Sequence, residues 1–304
     1  MMRLPPLSAR RRPARPGAPR PRHGVTLAEM LVALVIVSIV GTALTGIFLS
    51  QSRFYMRDDA ERQARQSTRG ALNVVLSDLR MVDADSGVIA PTDQKTVTVR
   101  VAYAMGLLCT VNNDNTITVA RLPVDSMIYN YPASAAIGYA VRDTTGFYRY
   151  STGTVTKSEN GQVSNCLSTA AIDTVPTGKV ITLGPTLPGL TSANVAQVVV
   201  LYRTITYAFA DSKTLPGKTA LWRITKTTGG ADSIELAAPY DTSARFRFYV
   251  GNADAAQDAP PAALTKVRGL ELRLNALSEA NLRVTGKPAL AKSTTAVFFQ
   301  NRLF

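Results

Sequence analysis

The sequence lacks most of the side chains on which enzyme chemistry depends. Its 304 residues include a single histidine, His23, in an arginine-rich N-terminal stretch. Downstream of it, Ser-His-Asp and Cys-His catalysis and histidine-based zinc sites are therefore excluded. There is also no CxxC pair, no phosphate-binding glycine loop and no carboxylate pair that marks a general acid and base. We predict a protein that is not an enzyme and that uses no cofactor and no metal.

Acidic residues are absent from positions 1–24, where seven arginines lie. The whole chain has a formal net charge of +13, so residues 25–304 carry +6 once those seven are subtracted. This remaining excess is too diffuse to predict nucleic-acid binding. The clustered arginines instead predict a segment that stays on the cytoplasmic face of a membrane.

Charged side chains are also missing from residues 30–49 (MLVALVIVSIVGTALTGIFL), which form a long apolar run. At about 1.5 Å per helical residue, this run is long enough to cross the ~30 Å hydrocarbon core of a membrane. Its apolar side chains include Met30, Leu31, Val35, Ile39, Leu44 and Leu49. One acid, Glu29, lies directly before the run, where an ionisable group is costly and therefore indicates a function.

The helix is predicted to continue beyond the apolar run, from about Thr26 to Arg80, because residues 51–80 contain no proline. Small or apolar residues recur there at spacings of three or four, which predicts one buried face. The predicted face consists of Ala60, Ala64, Ser67, Ala71, Val75 and Leu79. In the apolar half, Gly41 and Gly46 either loosen the helix or allow close helix packing, and the sequence favours neither.

Beyond residue 83 the pattern changes to β-branched runs separated by turn residues, which predicts antiparallel strands. The predicted strands cover residues 96–103, 116–122, 180–183, 195–209, 220–226, 246–250, 267–277 and 296–303. Residues 143–188 are predicted to be mostly loop. Residues 112–115 (NNDN) offer oxygen ligands, but a hairpin turn explains them better than a metal site. The predicted fold class is α+β, with a long N-terminal helix whose second half packs on an antiparallel β-sheet.

The N-terminal arrangement resembles that of the type IV prepilin and pseudopilin family, because Gly24 is followed by Val25 and, four residues later, by Glu29. In that family a prepilin peptidase cuts after a glycine and methylates the new first residue, and the fifth residue of the product is glutamate. The resemblance implies cleavage after Gly24 and N-methylation of Val25. The usual first residue in the family is phenylalanine, so Val25 departs from its pattern.

Two explanations account for Glu29. An acid at the start of a helix is stabilised by the positive end of the helix macrodipole. The resemblance adds a second explanation, in which the carboxylate meets the N-terminal ammonium of a stacked neighbour and sets the axial register of the subunits.

Two cysteines, Cys109 and Cys166, lie in the part of the chain that the resemblance places outside the cytoplasm. An oxidising compartment would allow one disulfide between them. Two buried free thiols are the alternative, and the sequence does not decide between the two states.

The downstream half resembles one branch of the family, the J-type minor pseudopilins of type II secretion and the PilW-like minor pilins. This likeness depends on the order of short β motifs at residues 203–207, 221–223, 246–249, 267–273 and 297–302. It implies a minor subunit near the tip that primes assembly of a type II secretion pseudopilus or a type IV pilus. The implied partners are the prepilin peptidase, other minor and major pilins or pseudopilins, and the inner-membrane assembly platform.

The implied organisation has four parts: a cleaved basic leader at 1–24, a transmembrane helix half at 25–50, an amphipathic helix half at 51–82 and a periplasmic β-rich domain at 83–304. The protein would be a single-pass inner-membrane protein first and a filament subunit afterwards. Two alternatives stay open, namely a signal-anchored periplasmic protein that never joins a filament, and a pilus-tip adhesin or DNA-uptake pilin. The sequence does not distinguish secretion from motility or DNA uptake.

Overall fold

The computed structural model of the chain describes residues 24–84, 86–90, 93–121, 137–143, 146–151, 156–160, 180–227, 230–282 and 286–299. The chain divides into two compact units, one that ends at Phe54 and one that begins at Tyr55. Helix α1 runs from Leu27 to Leu79, so the first unit holds its apolar part and the second holds its amphipathic part. The strands all belong to the second unit.

Twelve strands of the described residues form one antiparallel sheet. Their bounds are β1 (Thr96–Val111), β2 (Ile117–Arg121), β3 (Ile137–Arg142), β4 (Tyr148–Tyr150), β5 (Thr156–Asn160), β6 (Val180–Gly184), β7 (Val198–Asp211), β8 (Thr219–Thr227), β9 (Gly230–Tyr240), β10 (Arg245–Val250), β11 (Val267–Asn281) and β12 (Pro288–Phe298). The strands follow the order β10-β11-β9-β8-β7-β1-β2-β6-β5, with β12 beside β11 and with β3, itself paired to β4, beside β7. The predicted α+β class is confirmed.

The second half of α1 packs on this sheet through a face of mostly small and apolar side chains. Its buried residues are Ala64, Thr68, Ala71, Val75, Asp78 and Leu79. The four apolar ones share one core with inward side chains of β1, β7, β10 and β11, among them Val99, Tyr207 and Leu272. Val75 and Leu79 are fully buried, and burial of each contributes about 1.5–3 kcal/mol.

The predicted face of α1 was wrong at one position. Ser67 is exposed, and its neighbour Thr68 is buried instead. Thr68 lies four residues after Ala64 and three before Ala71, so all three residues are on the same face of the helix. The Thr68 hydroxyl donates to the Ala64 carbonyl at 2.9 Å, so its burial leaves no donor unpaired.

A buried ionic contact joins the last turn of α1 to the sheet. Asp78 Oδ2 accepts hydrogen bonds from Arg223 Nε at 2.8 Å and from the Tyr207 hydroxyl. Burial and the neighbouring Asp78 carboxylate raise the pKa of Tyr207, so this hydroxyl stays a donor. Because both partners lie on strands, the contact fixes the end of α1 against β7 and β8.

Several strand predictions need correction. The last predicted strand, 296–303, begins eight residues earlier as β12, and residues 300–304 lie outside the described residues. Strand β1 continues past the predicted end at residue 103, because a register shift between Ala102 and Ala104 lets it keep pairing with β7. Strand β9 was not predicted, since its sequence GADSIELAAPY contains few β-branched residues and a proline.

The segment predicted to be mostly loop, 143–188, also contains two strands that the sequence analysis missed. β4 pairs with β3, and β5 pairs with β6. Both are short, with three and five residues. β4 is too short to show an alternating pattern, and β5 (TKSEN) contains no apolar residue, so neither has the local pattern that predicts a strand.

Candidate processing and assembly site

Gly24, Val25 and Thr26 precede α1 and are exposed. A Cβ atom at Gly24 would meet no heavy atom within 4 Å, and the backbone of Gly24 is not left-handed. Within the described residues, therefore, neither packing nor backbone conformation requires a glycine at this position.

Thr26 and Glu29 form a capping box at the start of α1. The Thr26 main-chain N–H and hydroxyl donate to Glu29 Oε2 at 2.9 and 3.1 Å, and the Glu29 main-chain N–H donates to Thr26 Oγ1 at 3.3 Å. These bonds satisfy donors that a helix N-terminus otherwise leaves unpaired. The other carboxylate oxygen, Oε1, accepts no hydrogen bond within the described residues.

The sequence analysis missed the role of Thr26, although a signal for it was present. A threonine followed three residues later by glutamate, just before an apolar run, is the pattern of a capping box. Besides its favourable position in the helix macrodipole, the Glu29 side chain therefore bonds Thr26, the residue directly before α1.

The side chains predicted to lie in the membrane form a continuous exposed surface. Residues 24–57 are exposed without exception. Met30 is 67% exposed, Val35 58% and Leu49 54%, and Leu31, Ile39 and Leu44 are exposed likewise. Exposed apolar surface of this extent is typical of a segment that contacts a membrane or another protein. Among the described residues, α1 is the one helix long and apolar enough to cross a membrane.

The hydroxyl groups within the apolar run are satisfied by the helix itself. Ser38, Thr42 and Thr45 donate to main-chain carbonyls three or four residues earlier, at 2.7, 2.9 and 2.8 Å. Such bonds remove the need for water at these side chains. The helix continues through Gly41 and Gly46, where a Cβ would have nothing within 4 Å. Both explanations of these glycines stay open.

Only one of the two cysteines, Cys109, lies within the described residues. Cys109 lies on β1 with its side chain buried, and it is not a free thiol. Cys166 lies outside the described residues, so the disulfide between them stays a prediction.

Residues 112–115 form the turn of the β1–β2 hairpin, as the sequence predicts. The Asn112 amide donates to the Thr116 hydroxyl at 2.9 Å across that turn. Within the described ranges, no group of three or more His, Cys, Asp or Glu side chains is placed to hold a metal.

The fold and this site define a class: an α+β protein whose N-terminal helix carries a capped acid and then a fully exposed apolar surface. Residues 19–45, a span that contains Gly24, Val25 and Glu29, match the prokaryotic N-terminal methylation motif. This match supports a relationship to the prepilin and pseudopilin family. It also supports the interpretation of the chain as a type IV pilin-like protein that a prepilin peptidase processes. The comparisons with curated proteins and with solved structures give no match.

Proposed function

We propose that the protein is a non-catalytic minor pseudopilin or minor pilin of the J-type or PilW-like kind. It is made as a prepilin, cut after Gly24 and assembled into a type II secretion pseudopilus or a type IV pilus. The observation that carries the proposal is the exposed apolar surface of residues 30–49, which begins six residues after Gly24 and overlaps the span that matches the methylation motif. Cleavage after Gly24 leaves this surface on the mature protein, whereas a secretory signal loses its apolar segment.

The retained apolar segment has two successive environments in this proposal. It first anchors the chain in the inner membrane, with the arginine-rich leader in the cytoplasm and the β-sheet domain in the periplasm. It then exchanges lipid contacts for contacts with the same segments of neighbouring subunits. No water is needed at any stage, because the hydroxyls of the segment bond to its own main chain.

Glu29 then selects the position of each subunit. Oε2 is held by Thr26, and Oε1 is left to accept a hydrogen bond from outside the chain. The N-terminal ammonium on Val25 of an adjacent subunit is the complementary group. In apolar surroundings an unpaired charge costs several kcal/mol, so this pair favours one axial register over the others.

The substitution Glu29→Gln tests this function. Glutamine also suits the third position of a capping box, so the start of α1 is kept while the charge is lost. We expect the variant to be cleaved and membrane-anchored like the wild type, but to be at least tenfold depleted in sheared filaments. Glu61→Gln, in the second half of α1, is the control and should enter filaments normally. Normal incorporation of Glu29→Gln would contradict the register role. Absence of the wild-type chain from every filament would favour a signal-anchored periplasmic protein.

A further inference from the structure

A basic cleft lies between the second half of α1 and strand β12. Arg65, Thr68, Arg69 and Leu72 line it on the helix side, and residues 291–293 line it on the strand side. Its volume is about 270 Å³. The proposed assembly through the apolar run makes no use of this cleft.

Strand β12 has a free edge at the cleft. Among the described residues it pairs with β11 alone. The Phe299 N–H donates to the Arg268 carbonyl at 2.9 Å. This bond shows which residues of β12 point their main-chain N–H and C=O groups toward β11 and which point them away. Residues 291, 293, 295 and 297 therefore exchange hydrogen bonds with β11. The main-chain N–H and C=O groups of Leu290, Lys292, Thr294, Ala296 and Phe298 point away from β11.

This edge has few of the features that keep edge strands from pairing. Natural edges are protected by charges, prolines, bulges or short length. β12 is 11 residues long, and its one charged residue is Lys292 and its one proline is the first residue, Pro288. Leu290 and Phe298 are 43% and 48% exposed on the same strand.

The charge around the edge specifies the partner. Arg69 and Lys292 form no ion pair within the described residues, and Arg65 meets Glu61 at 3.5 Å in an exposed contact. Among the described residues, no acid lines the cleft on either side. A strand added beside β12 would pass next to the helix, and every second side chain of it would face the arginines. Acidic side chains at those positions would neutralise them.

We propose that the edge of β12 binds an extended acidic segment of another protein as an additional strand. Main-chain hydrogen bonds to β12 would supply affinity, and Arg65 and Arg69 would select acidic side chains. A second copy of this chain fits poorly, because pairing of two β12 edges would bring the basic residues of both copies together. The proposal goes beyond the assembly role and does not depend on cleavage at Gly24.

Peptide binding to the full-length protein in a non-ionic detergent tests the proposal. The probe is a fluorescent seven-residue peptide with alternating acidic and β-branched residues, Glu-Val-Glu-Thr-Glu-Val-Glu, and its counterpart carries Lys in place of every Glu. We expect saturable binding of the acidic peptide, measured by fluorescence anisotropy, and no binding of the basic one. Failure of the acidic peptide to bind, or equal binding of both peptides, would overturn the proposal.

Matched variants separate charge from strand pairing. Arg69→Glu should weaken binding at least tenfold. Arg62→Glu should not, because Arg62 lies on the same helix outside the cleft and contacts Asp58 at 2.7 Å. Thr294→Pro removes one outward N–H without touching a bond to β11, and it should also weaken binding at least tenfold relative to Thr294→Ala.

Three results would contradict the proposal. Equal effects of Arg69→Glu and Arg62→Glu would show binding by overall charge. Wild-type binding by Thr294→Pro, with unchanged thermal unfolding, would show that no strand is added. Concentration-dependent dimerisation without peptide, abolished by Thr294→Pro, would assign the edge to a second copy of the chain.

Discussion

Asp78 and Glu271 are carboxylates that the fold buries, each to 8% exposure. Arginine compensates both: Arg223 contacts Asp78, whereas Arg247 and Arg273 contact Glu271. A buried carboxylate without such a partner costs several kcal/mol. These arginines are therefore what allows acids at the end of α1 and within β11.

Glu271 makes folding stability depend on pH. Burial acts to raise the pKa of Glu271, but hydrogen bonds from Arg247 and Arg273, at 2.8 and 2.9 Å, outweigh it and hold the pKa below its ordinary value. The ionised form therefore stabilises the fold above the unfolded-state pKa of about 4.3, and this contribution is lost as the pH falls through the lower folded-state pKa. We expect Glu271→Gln to lower the free energy of unfolding by about 1.5–3 kcal/mol at neutral pH.

Urea unfolding in non-ionic detergent, from neutral pH down to about pH 3, measures this effect. The difference in the free energy of unfolding between wild type and Glu271→Gln should become smaller below about pH 4, where the wild type loses the contribution of the ionised Glu271. Glu279→Gln, at an exposed position of the same strand, is the control for the general effect of removing one carboxylate. A difference in the free energy of unfolding between wild type and Glu271→Gln that stays constant across the whole pH range would contradict the role assigned to Glu271.

Helix α1 meets two different environments along its length. Residues 24–57 expose all their side chains, whereas six positions from Ala64 to Leu79 are buried on the sheet. The ion pairs on its exposed side, such as Arg62 with Asp58, join residues four apart. Each contributes only about 0.3–0.5 kcal/mol. Burial of the apolar face, not surface charge, therefore holds the second half of α1 on the sheet.

Two adjacent valines test the orientation of α1. Val75 is fully buried, whereas Val74 is 39% exposed. We expect Val75→Ala to lower the free energy of unfolding by about 1–3 kcal/mol, through lost burial and a residual cavity. Val74→Ala should change it by less than about 0.5 kcal/mol. Denaturant titration of both variants measures the difference, and equal costs would mean that α1 presents another face to the sheet.

Local signals predicted α1, whereas its N-terminal cap was missed and the long-range contacts became known only from the structure. The apolar run and the spacing of small residues give the helix to within one residue at each end, and the Thr-x-x-Glu pattern contains the cap. Asp78 could not be assigned, because its partner Arg223 lies 145 residues away in sequence. Strand β9 likewise depends on pairing with β8 and not on a strong pattern of its own.

The order of leader, apolar run and β-sheet domain has a direct consequence for processing. A cut behind the apolar run would separate the sheet domain from its anchor. In the proposed filament, an uncut chain would bring seven arginines next to the apolar segments of neighbouring subunits, where each charge costs about 2.5–3.5 kcal/mol or more. A cut between Gly24 and Val25 avoids both outcomes.

The N-terminus of the mature protein therefore decides between a processed pilin-like subunit and a signal-anchored periplasmic protein. Intact mass and N-terminal sequencing should be carried out on the full chain, purified from cells with and without prepilin peptidase. With the peptidase, we expect a chain that begins at Val25 and carries one added methyl group; without it, residues 1–24 should remain. A leader retained in the presence of the peptidase, or a start within the apolar run such as near Ala43, would contradict the proposed function.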